Sequence, residues 1–244
     1  MAFIKSEAPS TDIFCFQEVF RSNAGPETSN GARMNIAADL VRVLPDFTSY
    51  FEPILEDRDL QWAVVPSVIH GEMMFVRRSL PVSGEGTLFV YGGYNEPLLN
   101  DGVLDVPSAL QYVRIRHGEK SLAIAHIHGI SMPGSKLDTT ERLEQSRNII
   151  SFFGEEAGEK ILCGDFNLMP DTESVLMLEQ SGLRNLIKDF HIRATRPSAH
   201  TARYSVPQPF ADYCFVSPGV TVRSFAVPDI FVSDHLPLIL EFSP

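Results

Sequence analysis

Apolar residues recur along this chain in two rhythms, short runs of strand length and longer stretches at helical spacing, which together predict a mixed fold of strands and helices. Residues 12–16, 62–65, 71–76, 110–116, 121–126, 160–163 and 229–232 read as strands, and residues 117–120 as the hairpin joining 110–116 to 121–126. Residues 1–6 read as the tail of a helix, and residues 34–44 as a surface helix closed by Pro45. Residues 139–153 form the clearest helical pattern: Thr139 or Thr140 caps it, Leu143, Ile149, Ile150 and Phe153 make an inward face, and Gly154 ends it. A further helix spans 172–180 and stops at Gly182.

Turn-forming residues gather at 21–31 and 193–209, between putative strands, and read as candidate active-site loops. No repeat and no shift of composition divides the 244 residues, so 1–244 reads as one domain. With 44% hydrophobic residues, 17 of all positions being Phe, the chain can bury a substantial core. No apolar run is long enough for a membrane helix and no charged leader precedes one, which makes a cytoplasmic address the default expectation. Cys15, Cys163 and Cys214 sit in apolar strands without the close spacing of a zinc or redox site, and read as buried free thiols.

Chemistry concentrates in three clusters, each directly behind an apolar run: Gln17-Glu18, Gly164-Asp165-Phe166-Asn167 and Ser233-Asp234-His235. Strands of such folds deliver binding groups at their ends, so three ends can converge on one pocket, and the residue types point to a metal-dependent site. Glu18 is a hard oxygen donor suited to Mg²⁺ or Mn²⁺. Asp165 and Asn167 are two apart, so an extended backbone projects both to one side while Phe166 enters the core. Asp234 and His235 are adjacent and need a bend at the strand end to share a target. A formal net charge of −11 speaks against a broadly basic nucleic-acid groove and favours a small phosphoester.

These clusters, in this order, resemble the endonuclease/exonuclease/phosphatase superfamily, whose members carry Gln-Glu after an early strand, Gly-Asp-x-Asn in the middle and Ser-Asp-His near the end. His126-Ile127-His128 is similar to the family's Asn-x-His strand end, and Asp212-Tyr213-Cys214-Phe215 to its Asp-Tyr-x-Phe strand. The resemblance spans residues 12–242 and implies an α/β (α+β) four-layer sandwich, two mixed, mostly antiparallel sheets packed face to face with helices outside. It further implies a Mg²⁺-dependent hydrolase of phosphoester bonds, acting on a nucleic acid, a lipid or a smaller phosphoester; no membrane partner is expected, since no apolar run is long enough to span one. Glu18 and Asp234 are then the metal residues; Asp165 activates water or protonates the leaving group; Asn167 positions phosphate or water and His128 binds phosphate; His235 stabilises the phosphate or transfers a proton, with Asp212 hydrogen-bonded to the imidazole, fixing its tautomer and raising its pKa.

Two positions depart from the family pattern. His126 stands where the family often has Asn, leaving open a structural histidine, a second polar contact or a change of specificity. The family's chains begin with a core strand ending in Asn, whereas this sequence opens in a helix, so a gap is expected beside the strand ending at Gln17. That gap raises the rival reading of a catalytically weakened binding or scaffolding module. His70, His117, His191 and His200 read as surface or loop residues, Arg142 and Arg147 as makers of helix-surface ion pairs, Met73-Met74 as core, and Arg203 and Tyr204 as loop residues within reach of substrate.

Overall fold

Alternation on one central strand sets the layering. In a computed structural model describing residues 1–22, 33–59, 62–100, 102–118, 120–201 and 206–243, strand β3 (Val64–Arg77) sends Met73 and Phe75 to one side and Met74 and Val76 to the other. Its neighbours are β1 (Ile13–Ser22) and β2 (Phe47–Arg58), all antiparallel, in the order β1-β3-β2. Phe14 and Phe16 of β1 share the side of Met73 and Phe75, where helix α2 (Ile36–Val43) covers them with Ala37 and Leu40. A short helix, α1 (Ala2–Glu7), precedes β1, and Ile4 joins the same cluster.

The opposite side of this small sheet faces a six-stranded one. Strands β4 (Val82–Tyr91), β7 (Ser108–His117), β8 (Lys120–His128), β9 (Glu159–Asp165), β10 (Arg184–Asn185) and β11 (Asp212–Val216) lie in the order β10-β11-β9-β8-β7-β4. Only β8 and β9 run parallel, as expected of strands joined through a helix, here α3 (Thr140–Glu155). Ile149 and Phe153 of α3 and Val175 and Leu178 of α4 (Glu173–Gln180) join the core of this sheet. The result is the four-layer sandwich of two mostly antiparallel sheets with helices outside, only the six-stranded sheet being mixed. Smaller pieces complete it: ribbons β5 (Leu98–Asn100) with β6 (Val103–Asp105) and β12 (Thr221–Ala226) with β13 (Ile239–Ser243), and helices α5 (Leu186–Asp189) and α6 (Ser198–Thr201).

Several expectations change. Residues 64–65 and 71–76 belong to one strand, which leaves out Trp62 and Ala63, because Ser67, with φ +64°, is an irregularity inside β3 and not a break. Helix α3 runs past Gly154 to Glu155, and the left-handed glycine comes later, at Gly158 with φ +88°. Residues 229–232 form no strand: the Ile230 amide donates to Pro228 O (2.8 Å), a tight turn that leaves Phe231 76% exposed. His70 is buried, not on the surface, with its ring against those of Phe20 and His128. Among the described residues β1 pairs only with β3, and its inward-facing Ile13, Cys15 and Gln17 are half-buried, so one strand edge is open beside Gln17.

Arg142 is the largest correction. Instead of making a surface ion pair it is fully buried and donates to the carbonyls of Ile130, Ser131, Pro133 and Leu137, gathering the loop between β8 and α3. Thr139 caps α3 as expected, accepting from Arg142 N (3.2 Å), and Asp138 caps α4 by accepting from Glu173 N (2.7 Å) and Ser174 N (2.9 Å). Arg142→Met should therefore cost on the order of 3–5 kcal/mol, since each buried carbonyl left unsatisfied costs about 1–3 kcal/mol and relaxation recovers part. Urea denaturation reads this directly; an unchanged midpoint would mean that the loop does not depend on the guanidinium.

Candidate active site

Strand register assembles the site. His128 ends β8 opposite Asp165, which ends β9, and Asp165 lies opposite Asp212, which begins β11. Directly opposed residues share a face of a sheet, so these three side chains form a row at one edge, on the face turned toward the small sheet. Close approach at that edge needs glycine: a Cβ on Gly164, whose φ is +124°, would lie 2.2 Å from Ile127 O, and one on Gly129 would lie 2.7 Å from Phe166 O.

Asp212 carries the next residue of the row. Its carboxylate accepts from His235 Nδ1 at 2.8 Å, while His235 Nε2 lies 3.6 Å from Asp165 Oδ2. Ligand atoms of Asp165, Asp212 and His235 all fall within 4.8 Å of one another, so this group has the spacing of a cation site as well as of a proton-bearing triad. Thr195 fixes both partners: its hydroxyl accepts from Asp212 N (3.1 Å) and its carbonyl from Leu236 N (2.8 Å). Burial alone would lower the His235 pKa, but the Asp212 and Asp165 charges outweigh it and raise the group to about 9. Asp165 is held below its ordinary value: burial pushes it up, and His235, Lys136 and His128 more than reverse that.

Asn167 does not continue the strand, contrary to the extended geometry expected of the Asp165–Asn167 pair. It sits at φ +54°, its amide donating to Asp165 Oδ1 (2.7 Å) in a turn, while Phe166 enters the core as expected. Its side-chain Nδ2 donates to Gly129 O (3.1 Å) and its Oδ1 accepts from the Lys136 ammonium. Gln17 and Glu18 likewise lie within β1 and not at its end, at a bulge between Phe16 and Val19 where Glu18 has φ +55°. Glu18 is half-exposed with its carboxylate 3.4 Å from His128 Nε2. Asp234 is exposed next to His235 and adds to the charge favouring the imidazolium.

His126 is structural. It is fully buried, Nδ1 accepting from Gln17 Nε2 and Nε2 donating to Gln111 Oε1, both at 2.8 Å, and burial lowers its pKa to about 3, keeping it neutral. Glu72, also fully buried, accepts from the backbone N–H of His128 (2.9 Å), and burial raises its pKa well above the ordinary value. Sequence reasoning missed Glu72, Thr195 and Lys136, none of which stands in a cluster. Arg203, Tyr204 and the side chains of His117 and His200 lie outside the described residues; His191 is exposed, as expected.

With this geometry in place, the comparisons are consistent. Residues 1–235 match the model of the Endonuclease/Exonuclease/phosphatase family, and the chain belongs to that family. It is similar to an endonuclease/exonuclease/phosphatase from Beutenbergia cavernae (TM-score 0.69, 22% identity), covering 99% of this chain and 64% of that one. It is similar, too, to a mannosyl-6-phosphatase from Bacteroides thetaiotaomicron (TM-score 0.68, 16% identity, 99% and 88% covered) and to the human Nocturnin catalytic domain with bound sulfate (TM-score 0.63, 19% identity, 99% and 85% covered). No curated protein sequence matches the chain. No helix among the described residues is long and apolar enough to cross a membrane.

The His235 charge has a measurable consequence. A raised histidine pKa stabilises the fold fully below the unfolded value near 6.5, and this contribution is lost as pH rises through about 9. In chelator-treated protein, NMR titration of the His235 ring should give a midpoint near 9 that falls in Asp212→Asn. A midpoint indifferent to Asp212→Asn would remove the carboxylate as its cause.

Proposed function

We propose that residues 1–244 form one catalytic domain, a divalent-metal-dependent phosphoesterase that hydrolyses a phosphodiester or phosphomonoester by attack of water. The observation that carries this reading is the row His128, Asp165, Asp212 with His235 bonded to Asp212. Glu18 and Asp234 are the residues to hold Mg²⁺ or Mn²⁺: both carboxylates reach solvent, and the donors at this edge are oxygen and imidazole, the set that hard cations prefer over thiolate. When bound, such an ion supplies neutralisation of phosphate charge.

The chain's own groups then divide the remaining work. Asp165, held as a carboxylate, accepts a proton from a water and orients it. The charged His235 imidazole donates to a phosphoryl oxygen, and Asp212 keeps it cationic and aimed. His128, on the other side of Asp165, contacts the phosphate from that flank, and Asn167 offers it the second N–H of Nδ2, the first being held by Gly129 O. With a net charge of −11 and a phosphatase and a sulfate-bound domain among its structural relatives, a small phosphoester suits the chain better than a long nucleic acid. Its three free thiols fit a reducing, cytoplasmic setting.

Hydrolysis of bis-p-nitrophenyl phosphate tests the reading. Turnover should require Mg²⁺ or Mn²⁺ and disappear in EDTA, and Glu18→Gln should reduce it at least about 100-fold with the fold intact. Full activity in EDTA, or in Glu18→Gln, would remove the metal assignment. Asp212→Asn should slow the rate less than His235→Ala, and the double variant should be no slower than His235→Ala, because residues acting as a unit are not additive. Additive losses would mean that the two act separately.

A further inference from the structure

A lysine that no sequence pattern marks sits at the base of this site. Lys136 is 5% exposed, its backbone at φ +58°, and its ammonium touches Asn167 Oδ1. An ammonium carries three N–H donors, and among the described residues this contact fills one of them. Withdrawing a charge from water with donors unfilled is costly, and an acceptor carried by a ligand would fill the two that the described residues leave.

The loop is built to keep the side chain there. Arg142 gathers its carbonyls, Met169 N donates to Lys136 O (2.9 Å), and Gln208 Nε2 donates to Gly134 O (2.6 Å). Non-glycine residues hold a left-handed backbone where surrounding bonds impose it, and such positions gather at functional sites. The charge count decides what the ammonium meets. Around the ammonium Asp165 and Asp212 are negative and His235 positive, so one carboxylate charge is left uncompensated; Lys136, attracted by both carboxylates, supplies the second positive charge.

We propose that Lys136 is a catalytic residue, donating its remaining N–H groups to a non-bridging oxygen of the bound phosphoryl group while it fixes the Asn167 amide. The assignment rests on the phosphoesterase reading, but binding of inorganic phosphate tests it without turnover. Lys136→Met keeps length and the same backbone demand while removing charge and donors; Lys136→Arg keeps the charge. Calorimetric titration with inorganic phosphate, with Mg²⁺ present throughout, should show affinity weakened about tenfold or more in Lys136→Met and partly retained in Lys136→Arg, as expected for loss of a charge-assisted hydrogen bond. On bis-p-nitrophenyl phosphate kcat/KM should fall about 100-fold in Lys136→Met when both proteins are assayed well below their melting transitions.

Phosphate affinity in Lys136→Met within twofold of the unaltered protein would overturn the proposal. So would absence of phosphate binding by the unaltered protein, or a fall in melting temperature that Lys136→Arg repairs without repairing phosphate binding, which would make the lysine a prop for its loop. If the unaltered protein binds phosphate through Lys136 yet hydrolyses nothing, Lys136 stands as an anion-binding residue and the hydrolytic reading falls instead.

Discussion

The alignment of β8, β9 and β11 is the constraint on which the rest of the site depends. His128, Asp165 and Asp212 face one another because two registers, one parallel and one antiparallel, coincide at a single residue, Asp165. A slip of one position in either would turn a side chain of the row into the core and a core side chain into the row. Burial forbids that slip: Ile127, Phe166 and Tyr213, each adjacent to a member of the row, are fully buried, as is Leu162 three residues before Asp165. Everything beyond the row is attached to it in sequence. His235 is placed through Asp212, Asn167 through Asp165, and Lys136 through Asn167.

Strain is concentrated where this chain of attachment leaves the strands. Among the described residues eight non-glycine positions have positive φ, and three of them, Glu18, Lys136 and Asn167, touch the site. Each left-handed residue costs roughly 1 kcal/mol or more relative to a relaxed backbone. The cost is met by local hydrogen bonds: the Asn167 amide on Asp165, the Lys136 carbonyl on Met169, and the loop carbonyls on Arg142. Arg142 thus acts at a distance, stabilising a loop whose only functional side chain is another residue's charge.

Local pattern made part of this legible. The hairpin of β7 and β8, the Thr139 cap of α3 and the three polar clusters all rest on contacts within a few residues, which sequence encodes directly. Residues 229–232 misled because a three-residue apolar run has strand composition whether or not a partner strand lies beside it, and here the backbone turns back on Pro228 instead. His70 and Arg142 were read as surface groups, and Lys136 drew no reading, because burial of a polar side chain depends on long-range packing. Arg142 finds its carbonyl partners 5 to 12 positions away in a loop with no periodic pattern. Thr195 meets Asp212 across 17 positions.

The Gln17-Glu18 pair is the case in which sequence identified the residues and the physics lay elsewhere. In a regular strand adjacent side chains point to opposite faces, so a strand carrying Gln-Glu could present only one of them to the facing sheet. Here both reach β8: Gln17 bonds His126 and Glu18 approaches His128, two residues apart on one face of that strand. The bulge between Phe16 and Val19, with Glu18 in the left-handed region, rotates the second side chain to the side of the first. Gln17 then has a mechanical role. Through His126 and on to Gln111 it ties the small sheet to β8 and β7 with a buried, neutral hydrogen-bonded chain, fixing the height at which Glu18 stands beside His128. A substitution at Gln17 or His126 therefore shifts a carboxylate that neither residue touches, by releasing the bulge from the sheet it faces.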